Sequence, residues 1–406
     1  MRTDEWTYKS THHWITFSID LRPAPASLWM NLGEARSKFD HIAGIPLRPD
    51  VAELLHKVYL AKGVHGTTAI EGNTLTEDEI RKHMGGQLKL PISQAYLQQE
   101  IDNIINACNG IAEDLWHGKP ADLTFDRICQ FNSMVLNKLE SETGETPGQI
   151  RLSSVGVGNY LGAPAGECEH LTKRLCEWLS SPDFQGNGKD LIITAILKAI
   201  LAHLYIAWIH PFADGNGRTA RLVEFQILTA AGVPSPAAHL LSNHYNKTRS
   251  EYYRQLDIAS KSGGNVIPFI QYAVQGLIDG LIAQLHSIRN YQWQVTWQNY
   301  VHEQFGHKKE MSVSELRQHH LAMDLSDQNG FVPLDKIRGI SPRITLAYAK
   351  KSNKTLRRDL NKLKKFELVE ETKEGFKAKS EKILAFLPPR CSAVPMNSVK
   401  DSSTEK

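Results

Sequence analysis

The sequence predicts a mainly α-helical protein with one short β-hairpin, followed by a smaller basic module of helix and hairpin. Three observations lead there. Apolar residues recur at helical spacing in stretch after stretch. The clearest runs from Leu191 to Trp208, where Ile192, Ile196, Ile200, Leu204 and Trp208 stand four apart and so share one helical face. Between Thr143 and Pro164 glycines and prolines break that pattern, and Val155-Gly156-Val157 reads as extended. Between Ser341 and Arg390 fourteen Lys and Arg face six Asp and Glu, a balance of +8 in a 406-residue chain whose net charge is +3.

That length suits two or three domains with ample core. The net charge is too small to argue for nucleic acid over the chain as a whole. The five cysteines, Cys108, Cys129, Cys168, Cys176 and Cys391, are scattered, odd in number and without a Cys-x-x-Cys pair. This argues against a disulfide framework or a zinc site and suits a reducing compartment. No eighteen-residue apolar run is free of charge, and residues 1–20 lack a signal-peptide pattern. The expectation is a cytoplasmic protein without a membrane segment.

In chain order, residues 1–24 are polar and read as an irregular lead-in. Pro23 and Pro25 flank the start of a helix through Leu28 to about His41. Pro49 opens another from Asp50 to Val64, with Val51, Leu54, Leu55, Val58 and Tyr59 on one face. Glu71 before Gly72 reads as a helix end, where the helix dipole disfavours a carboxylate; it is either solvated or held by a compensating partner. Thr76-Glu77-Asp78-Glu79 supplies an N-cap and acidic first turn for a short helix ending near Gly85-Gly86. A long amphipathic helix from about Ile92 to Trp116 and another from Thr124 to Leu139 carry nothing that reads as catalytic. Cys168 to Leu179 packs Leu171, Leu175 and Leu179. Lys247 to Ser262 presents Tyr252 and Tyr253, which composition alone assigns to core or interface. Val266 to about Phe305 forms one or two long helices.

The most chemistry lies between two central helices. Pro211 ends the Leu191–Trp208 helix, and Arg218 to Ala231 forms the next, with Leu222, Phe225 and Leu228 inward. His210 therefore stands at a helix exit and Asp214-Gly215-Asn216-Gly217 at a helix entrance. Glycines let the backbone approach a ligand closely, and the free N–H groups at a helix start favour phosphate. Arg218 and Arg221, three apart, fall on one side, suited to forking phosphate groups. Asp214 is a hard oxygen donor suited to Mg²⁺ shared with phosphates. His210 is the side chain here able to take a proton near neutral pH. Each feature alone is an ordinary turn, a core histidine or a surface arginine; all of them within twelve residues are not. No Gly-Lys-Ser/Thr follows the glycines, so this is not a P-loop.

His210 to Arg221 resembles, position for position, the signature of Fic-domain proteins, His-Pro-Phe-x-Asp/Glu-Gly-Asn-Gly-Arg-x-x-Arg. The resemblance covers roughly residues 30–300. It implies a helical Fic fold with a short β-hairpin flap, transferring AMP from ATP to a Ser, Thr or Tyr hydroxyl of a target protein. On that basis His210 is the base, Asp214 holds Mg²⁺, and Gly215, Asn216 and Gly217 cradle phosphates that Arg218 and Arg221 neutralise. Pro147-Gly148-Gln149-Ile150-Arg151 through Val155-Gly156-Val157-Gly158 is similar to the flap that covers the nucleotide and pairs with an extended target segment. Gly162-Ala163-Pro164 stands where Pro-Pro is usual. Tyr252 and Tyr253 would line the nucleotide pocket. Thr67-x-x-x-Glu71-Gly72 resembles the inhibitory Ser/Thr-x-x-x-Glu-Gly/Asn motif, whose glutamate pairs with the second signature arginine, here Arg221. The same parts would serve another phosphate transfer or the removal of AMP. A nucleotide-sensing DNA-binding regulator is the alternative of a different class.

Thr355 to Phe366 is a basic helix with Leu356, Leu360 and Leu363 on one side and Arg357, Arg358, Lys362 and Lys364 elsewhere. Leu368-Val369-Glu370 and Glu374-Gly375-Phe376 read as two strands. The combination resembles a winged helix-turn-helix module, which would contact DNA, dock a partner protein or make a homodimer. The expected organisation is a helical region with the inhibitory motif at 1–120, a catalytic domain at 121–305, the winged-helix-like module at 306–390 and a disordered tail at 391–406.

Overall fold

Residues 6–140, 144–158, 160–186, 188–306 and 311–384 are described by the structure, a computed structural model; the tail at 391–406 lies outside them. The chain divides into two units, Met1–Ser287 and Ile288–Lys406.

The first unit opens with one helical turn, α1 (Tyr8–Thr11). The N–H groups of Thr7 and Tyr8 donate to the Glu167 carboxylate at 2.7 and 2.8 Å, and Ile15 and Phe17 are buried. The polar lead-in is thus held by tertiary contacts that its own sequence does not announce. Helix α2 (Ala26–Ala43) enters through Pro25, and α3 (Pro49–Ala69) has Pro49 in its first turn. Helix α3 runs five residues beyond the expected Val64. Gly63 and Gly66 do not end it, because they are where it presses on a later helix: a Cβ at Gly63 would collide with the His239 ring, and one at Gly66 would stand 3.1 Å from the Asn243 backbone. Of the expected apolar face, Leu55 and Tyr59 are buried, whereas Leu54 is 47% exposed.

A reciprocal Thr76–Glu79 capping box starts α4 (Glu77–Met84). Helix α5 (Ala95–Trp116) follows a short 3₁₀ turn, and α6 (Phe125–Val135), capped by Thr124, ends four residues before the expected Leu139. The two-residue strands β1 (Gly156–Val157) and β2 (Tyr160–Leu161) pair antiparallel, Gly156 opposite Leu161. Then come α7 (Cys168–Leu179), α8 (Leu191–Ile209) and α9 (Asn216–Ala230). Helix α8 is long and apolar enough to cross a membrane by length and composition, but two thirds of it (67%) is buried inside this unit. Its apolarity on all sides is that of a helix at the centre of a bundle, with Ile196, Ile200, Leu204 and Trp208 all buried. Truncating one such side chain to alanine costs about 2–5 kcal/mol.

The helix expected from Lys247 to Ser262 is found from Arg249 to Lys261. Helices α10 (Ser235–Ala238) and α11 (Leu240–Lys247) precede α12 (Arg249–Lys261), and Thr248 at φ −118°, ψ 39° breaks the path between the last two. Helix α13 (Ile267–Gln304) is continuous. The division between the units falls within it.

In the second unit, α14 (Val313–Ser326), α15 (Pro342–Tyr348) and α16 (Asn353–Lys365) precede the hairpin of β3 (Val369–Thr372) and β4 (Gly375–Ala378). Its core contains Leu321, Ile344, Leu356, Leu360 and Phe376. Asp359 is fully buried on α16, accepting from Arg317 Nε at 2.8 Å, Gln318 Nε2 at 2.7 Å and the Tyr348 hydroxyl at 3.0 Å. A buried charge paired this completely cross-ties three helices, and removing one partner would strand the other.

Candidate active site

The chain leaves α8 through His210, which adopts the left-handed conformation at φ 51°, ψ 59° while its N–H still bonds Ile206 O at 2.8 Å. Pro211 disfavours right-handed helix at the residue before it, and a non-glycine left-handed residue costs of order 1–3 kcal/mol unless its surroundings hold it. Arg151 does so. Buried to 1% exposure, it donates from Nε to His210 O at 2.7 Å, from Nη1 to Ser153 O at 2.5 Å and from Nη2 to Ala163 O. Its own N–H bonds Pro211 O at 3.0 Å. Gly162 leaves the necessary room: a Cβ there would stand 2.8 Å from His210 Cβ and 3.0 Å from Arg151 Nη2.

Burial pushes the His210 imidazole down to about 4, and the Arg151 charge adds to that; the Glu71 and Asp214 charges act in the opposite sense. At neutral pH the ring is therefore uncharged and able to accept a proton.

The loop between the helices is closed on itself. Phe212 N–H donates to Asn216 Oδ1 at 2.9 Å, and Asn216 Nδ2 donates back to Phe212 O at 2.8 Å. Asn216 is 3% exposed, so its side chain fixes the loop. Gly215 caps α9 at φ 74°, where a side chain would be strained and would crowd Asn132. Asn132 joins the loop to the flap: its Nδ2 donates to Asp214 O at 2.8 Å, and its Oδ1 accepts from Gly148 N–H at 2.8 Å.

The two signature arginines do not project freely. Arg218 is held between Glu100 and Asp214, both at 3.0 Å. Arg221 is 2% exposed and donates from Nη2 to Thr67 O at 2.9 Å and to Glu71 Oε1 at 2.5 Å. Its Nε and Nη1 are buried without a hydrogen-bond partner. Thr67 thus contributes its backbone carbonyl to this contact. Glu71 Oε1 fills the hollow that glycine leaves at 217, since a Cβ on Gly217 would collide with it and stand 3.1 Å from Arg221 Nη1. A carboxylate oxygen therefore rests at the first turn of α9, where the free N–H groups and the dipole favour an anion. Burial pushes the Glu71 carboxyl up, but the charges of Arg221, Arg218 and Arg249 and the Arg221 hydrogen bond reverse this and leave it lowered.

A cavity of about 730 Å³ opens onto His210, Asp214 and Gly215 to Gly217, within the usual range for a small-molecule site. Val155, Gly156 and Gly158 line one side; Val157 contributes backbone to β1. Tyr252 and Tyr253 line another part of the wall. Tyr252 is buried and shares a 2.8 Å hydrogen bond with His203 Nε2, while Tyr253 is 38% exposed. Behind them His203 Nδ1 lies 3.2 Å from Glu224 Oε2, and Tyr245 donates to Glu224 Oε1 at 2.9 Å. The side chain of Asp214 is 66% exposed. Mg²⁺ typically takes one or two carboxylates together with phosphate and water; Asp214 is a carboxylate of that kind, though its Oδ2 is paired with Arg218 and its Oδ1 accepts from Gly215 N–H at 2.5 Å. No group of three or more His, Cys, Asp or Glu among the described residues gathers to hold a metal by itself.

Sequence reasoning passed over Glu100, Asn132 and His203, and placed Arg151 in the flap-like stretch without a role of its own. Asn132 left a signal, lying with Ile128, Phe131 and Val135 on the apolar stripe of α6. A polar residue in such a stripe needs a partner. Glu100 lies beside the Leu97–Ile101–Ile104 stripe of α5 and looks in sequence like any solvated glutamate.

The family model described as "Fic/DOC family" matches residues 122–228. Curated relatives include protein adenylyltransferase fic-1 of Caenorhabditis elegans, 27% identical over 243 residues, covering 60% of this chain and 44% of that protein. Protein adenylyltransferase Fic of Nematostella vectensis is 28% identical over 212 residues, covering 52% and 45%. The matches span less than half the length of these curated relatives. Among solved structures, a Fic family protein from Desulfovibrio desulfuricans G20 shares the fold at TM-score 0.55 and 20% identity, covering 88% of this chain and 93% of that one. Residues 122–228 match the Fic domain model, and the signature at the mouth of the cavity lies within them.

Proposed function

We propose that this chain is a protein adenylyltransferase that moves AMP from ATP to a Ser, Thr or Tyr hydroxyl of a target protein, or of itself, and that Glu71 restrains it. The observation that carries the reading is the juxtaposition of an uncharged His210 with the anion-favouring start of α9 across one cavity. ATP would lie with its base near Tyr252 and Tyr253 and its phosphates over Gly215 to Gly217, with Arg218 and Arg221 as counter-charges. His210 takes the target hydroxyl proton as the oxygen attacks the α-phosphorus. The bond from that phosphorus to the β-phosphate oxygen breaks, and pyrophosphate leaves. Asp214 would hold Mg²⁺, which neutralises phosphate charge when bound.

The two-stranded flap supports a backbone mode of target recognition. Strand β1 pairs only with β2 among the described residues, and a further edge suits an extended segment added as a strand. Relatives named protein adenylyltransferase lend weight to AMP as the transferred group.

The test is incubation of the purified chain and its Glu71→Gly variant with ATP labelled at the α or the γ position. Protein-bound label is expected from α-labelled ATP and not from γ-labelled ATP. Label from the γ position would replace the reading with phosphorylation. No label from either, even with Glu71→Gly and lysate proteins as targets, would overturn it.

A further inference from the structure

Helix α16 carries two kinds of cation. Arg357 and Lys364 both reach Glu371 on β3, at 3.1 and 2.5 Å, and Arg357 lies over the Phe376 ring at 5.6 Å. The hairpin neutralises both. Lys354, Arg358 and Lys365 are exposed, and none has an ion pair among the described residues. With Asn361, also exposed, they recur at intervals of four, three and four and form one stripe along the helix. The stripe lies opposite Leu356, Leu360 and Leu363, which are buried. Lys350 and Lys351, in the four-residue turn between α15 and α16, and Lys373, at the hairpin tip, are likewise exposed and without an ion pair among the described residues. The acids nearby offer little opposition. Asp359 is buried and paired, Glu371 and Glu367 each hold cations, and Glu374 stands next to Lys373.

We propose that this outer face of α16, with the turn before it and the hairpin tip, binds double-stranded DNA. Two helices joined by a four-residue turn, with a basic stripe on the second, form a helix-turn-helix arrangement. An α-helix of about 10–12 Å diameter fits the major groove, which is about 12 Å wide. The stripe from Lys354 to Lys365 spans about 16 Å at 1.5 Å per residue, enough to follow the groove across several base pairs. Its end lysines and the turn lysines suit phosphates, which supply most sequence-independent affinity. Arg358 and Asn361, between them, are the residue types that make paired hydrogen bonds to guanine and adenine edges. The stripe has no aromatic or aliphatic anchor of the kind that dominates protein interfaces. It also has no aromatic ring on which an unpaired base would stack. Duplex DNA is therefore favoured over a protein or a single strand. The inference stands whether or not the first unit transfers AMP.

The test uses the full chain with a short fluorescent duplex of mixed sequence, titrated from about 50 to 200 mM salt, the range over which phosphate contacts weaken steeply. Lys354→Ala/Arg358→Ala/Lys365→Ala is expected to lower affinity at low salt at least tenfold. It should also flatten the log–log salt slope by about 2–3, near 0.9 for each lost contact. A charge-matched control, Lys57→Ala/Lys119→Ala/Lys173→Ala, removes exposed lysines of the first unit and should bind as the parent does. Melting curves check that the triple variant is folded. Arg358→Glu, a single exposed change, provides a second reading if it is not, and should itself lower duplex affinity. The proposal is overturned if the parent shows no duplex affinity at low salt or if stripe and control variants bind alike. Preference for single-stranded RNA over the duplex, or loss of a protein contact with duplex affinity absent, would also overturn it.

Discussion

Glu71 and Arg221 are 150 residues apart in sequence, yet their Oε1 and Nη2 atoms lie 2.5 Å apart. The contact rests on the first turn of α9, over Gly217, where a phosphate oxygen would be expected. It is backed by Thr67 O on the same guanidinium and by Glu100, which accepts from Asn73 Nδ2 at 2.8 Å as well as from Arg218. The segment after α3 is thereby tied to the candidate site at two points.

If the carboxylate holds the arginine away from the nucleotide, ATP should still bind but with its phosphates out of line. Misplacement of about 1 Å can cost about 10²-fold in rate. Glu71→Gly should then raise self-labelling and target labelling by up to about that factor, whereas Arg221→Ala should lower both. The double variant should stay low, because freeing an absent arginine gains nothing. Unchanged labelling in Glu71→Gly would make this glutamate an ordinary helix-end residue.

Arg151 satisfies three carbonyls from a fully buried position. Charged hydrogen bonds of this kind contribute about 1.5–3 kcal/mol each, and their loss leaves buried carbonyls unpaired. Arg151→Ala is expected to lower stability by about 2–4 kcal/mol in urea unfolding. Arg151→Lys should recover little of this, since an ammonium lacks the planar fork that spans separate acceptors. Full recovery by lysine would show that charge rather than geometry holds the loop.

The sequence made the centre of the site legible and its supports much less so. His210 to Arg221 is a dense string of unusual residues at a helix break, and the structure brings His210, Asp214 and Gly215 to Gly217 to one cavity, with Arg218 and Arg221 outside its lining. The break itself follows from local chemistry at Pro211 and Gly215. The partners come from elsewhere in the chain: Glu100 and Asn132 from helices with no visible chemistry, Arg151 from a loop 59 residues before the carbonyl it holds. The arginines expected to project were found pinned, because their acidic partners are distant in sequence. Helix lengths failed for a related reason. Gly63 and Gly66 are read locally as breakers, but their role is to let α3 approach α11 closely. In the basic module, charge counting could not separate Arg357 and Lys364, neutralised by Glu371, from the open stripe one face away.

Gly162→Ala should act through its neighbours. The added methyl would meet His210 Cβ at 2.8 Å, a separation that real side chains do not tolerate, so the imidazole must shift. On the proposed reading ATP is held at the start of α9, so its affinity should change little, while kcat falls by about 10–10²-fold, the scale of a misplaced catalytic group. Equal losses in ATP affinity and rate would instead indicate that the whole loop has collapsed.

The last prediction concerns pH and follows from the environment of His210. Burial and the Arg151 charge hold its ring down at about 4, against the opposing charges of Glu71 and Asp214. A base is competent above its pKa. In the free enzyme, kcat/KM should therefore persist on acidification through 6.5 and decline only as the pH nears 4. Glu71→Gly removes one of the two carboxylates that favour the protonated ring, so the decline in that variant should move lower still. Bound ATP works the other way: its phosphates favour the imidazolium, and the acidic limb of kcat should lie above that of kcat/KM. Stability carries the same signature. The unfolded chain takes up a proton near 6.5 while the folded one does not, so stability falls as pH drops from about 6.5 towards 4, and folded protonation then ends the loss. His239, held down to about 3 by burial and by the His56 charge, adds to this slope, so His210→Ala should reduce it without abolishing it. The measurements are pH–rate profiles in the Glu71→Gly background and urea unfolding of the parent and His210→Ala between pH 4 and 7. An acidic limb of kcat/KM at 6.5 would mean that the ring is solvated and that Arg151 and burial do not set its protonation.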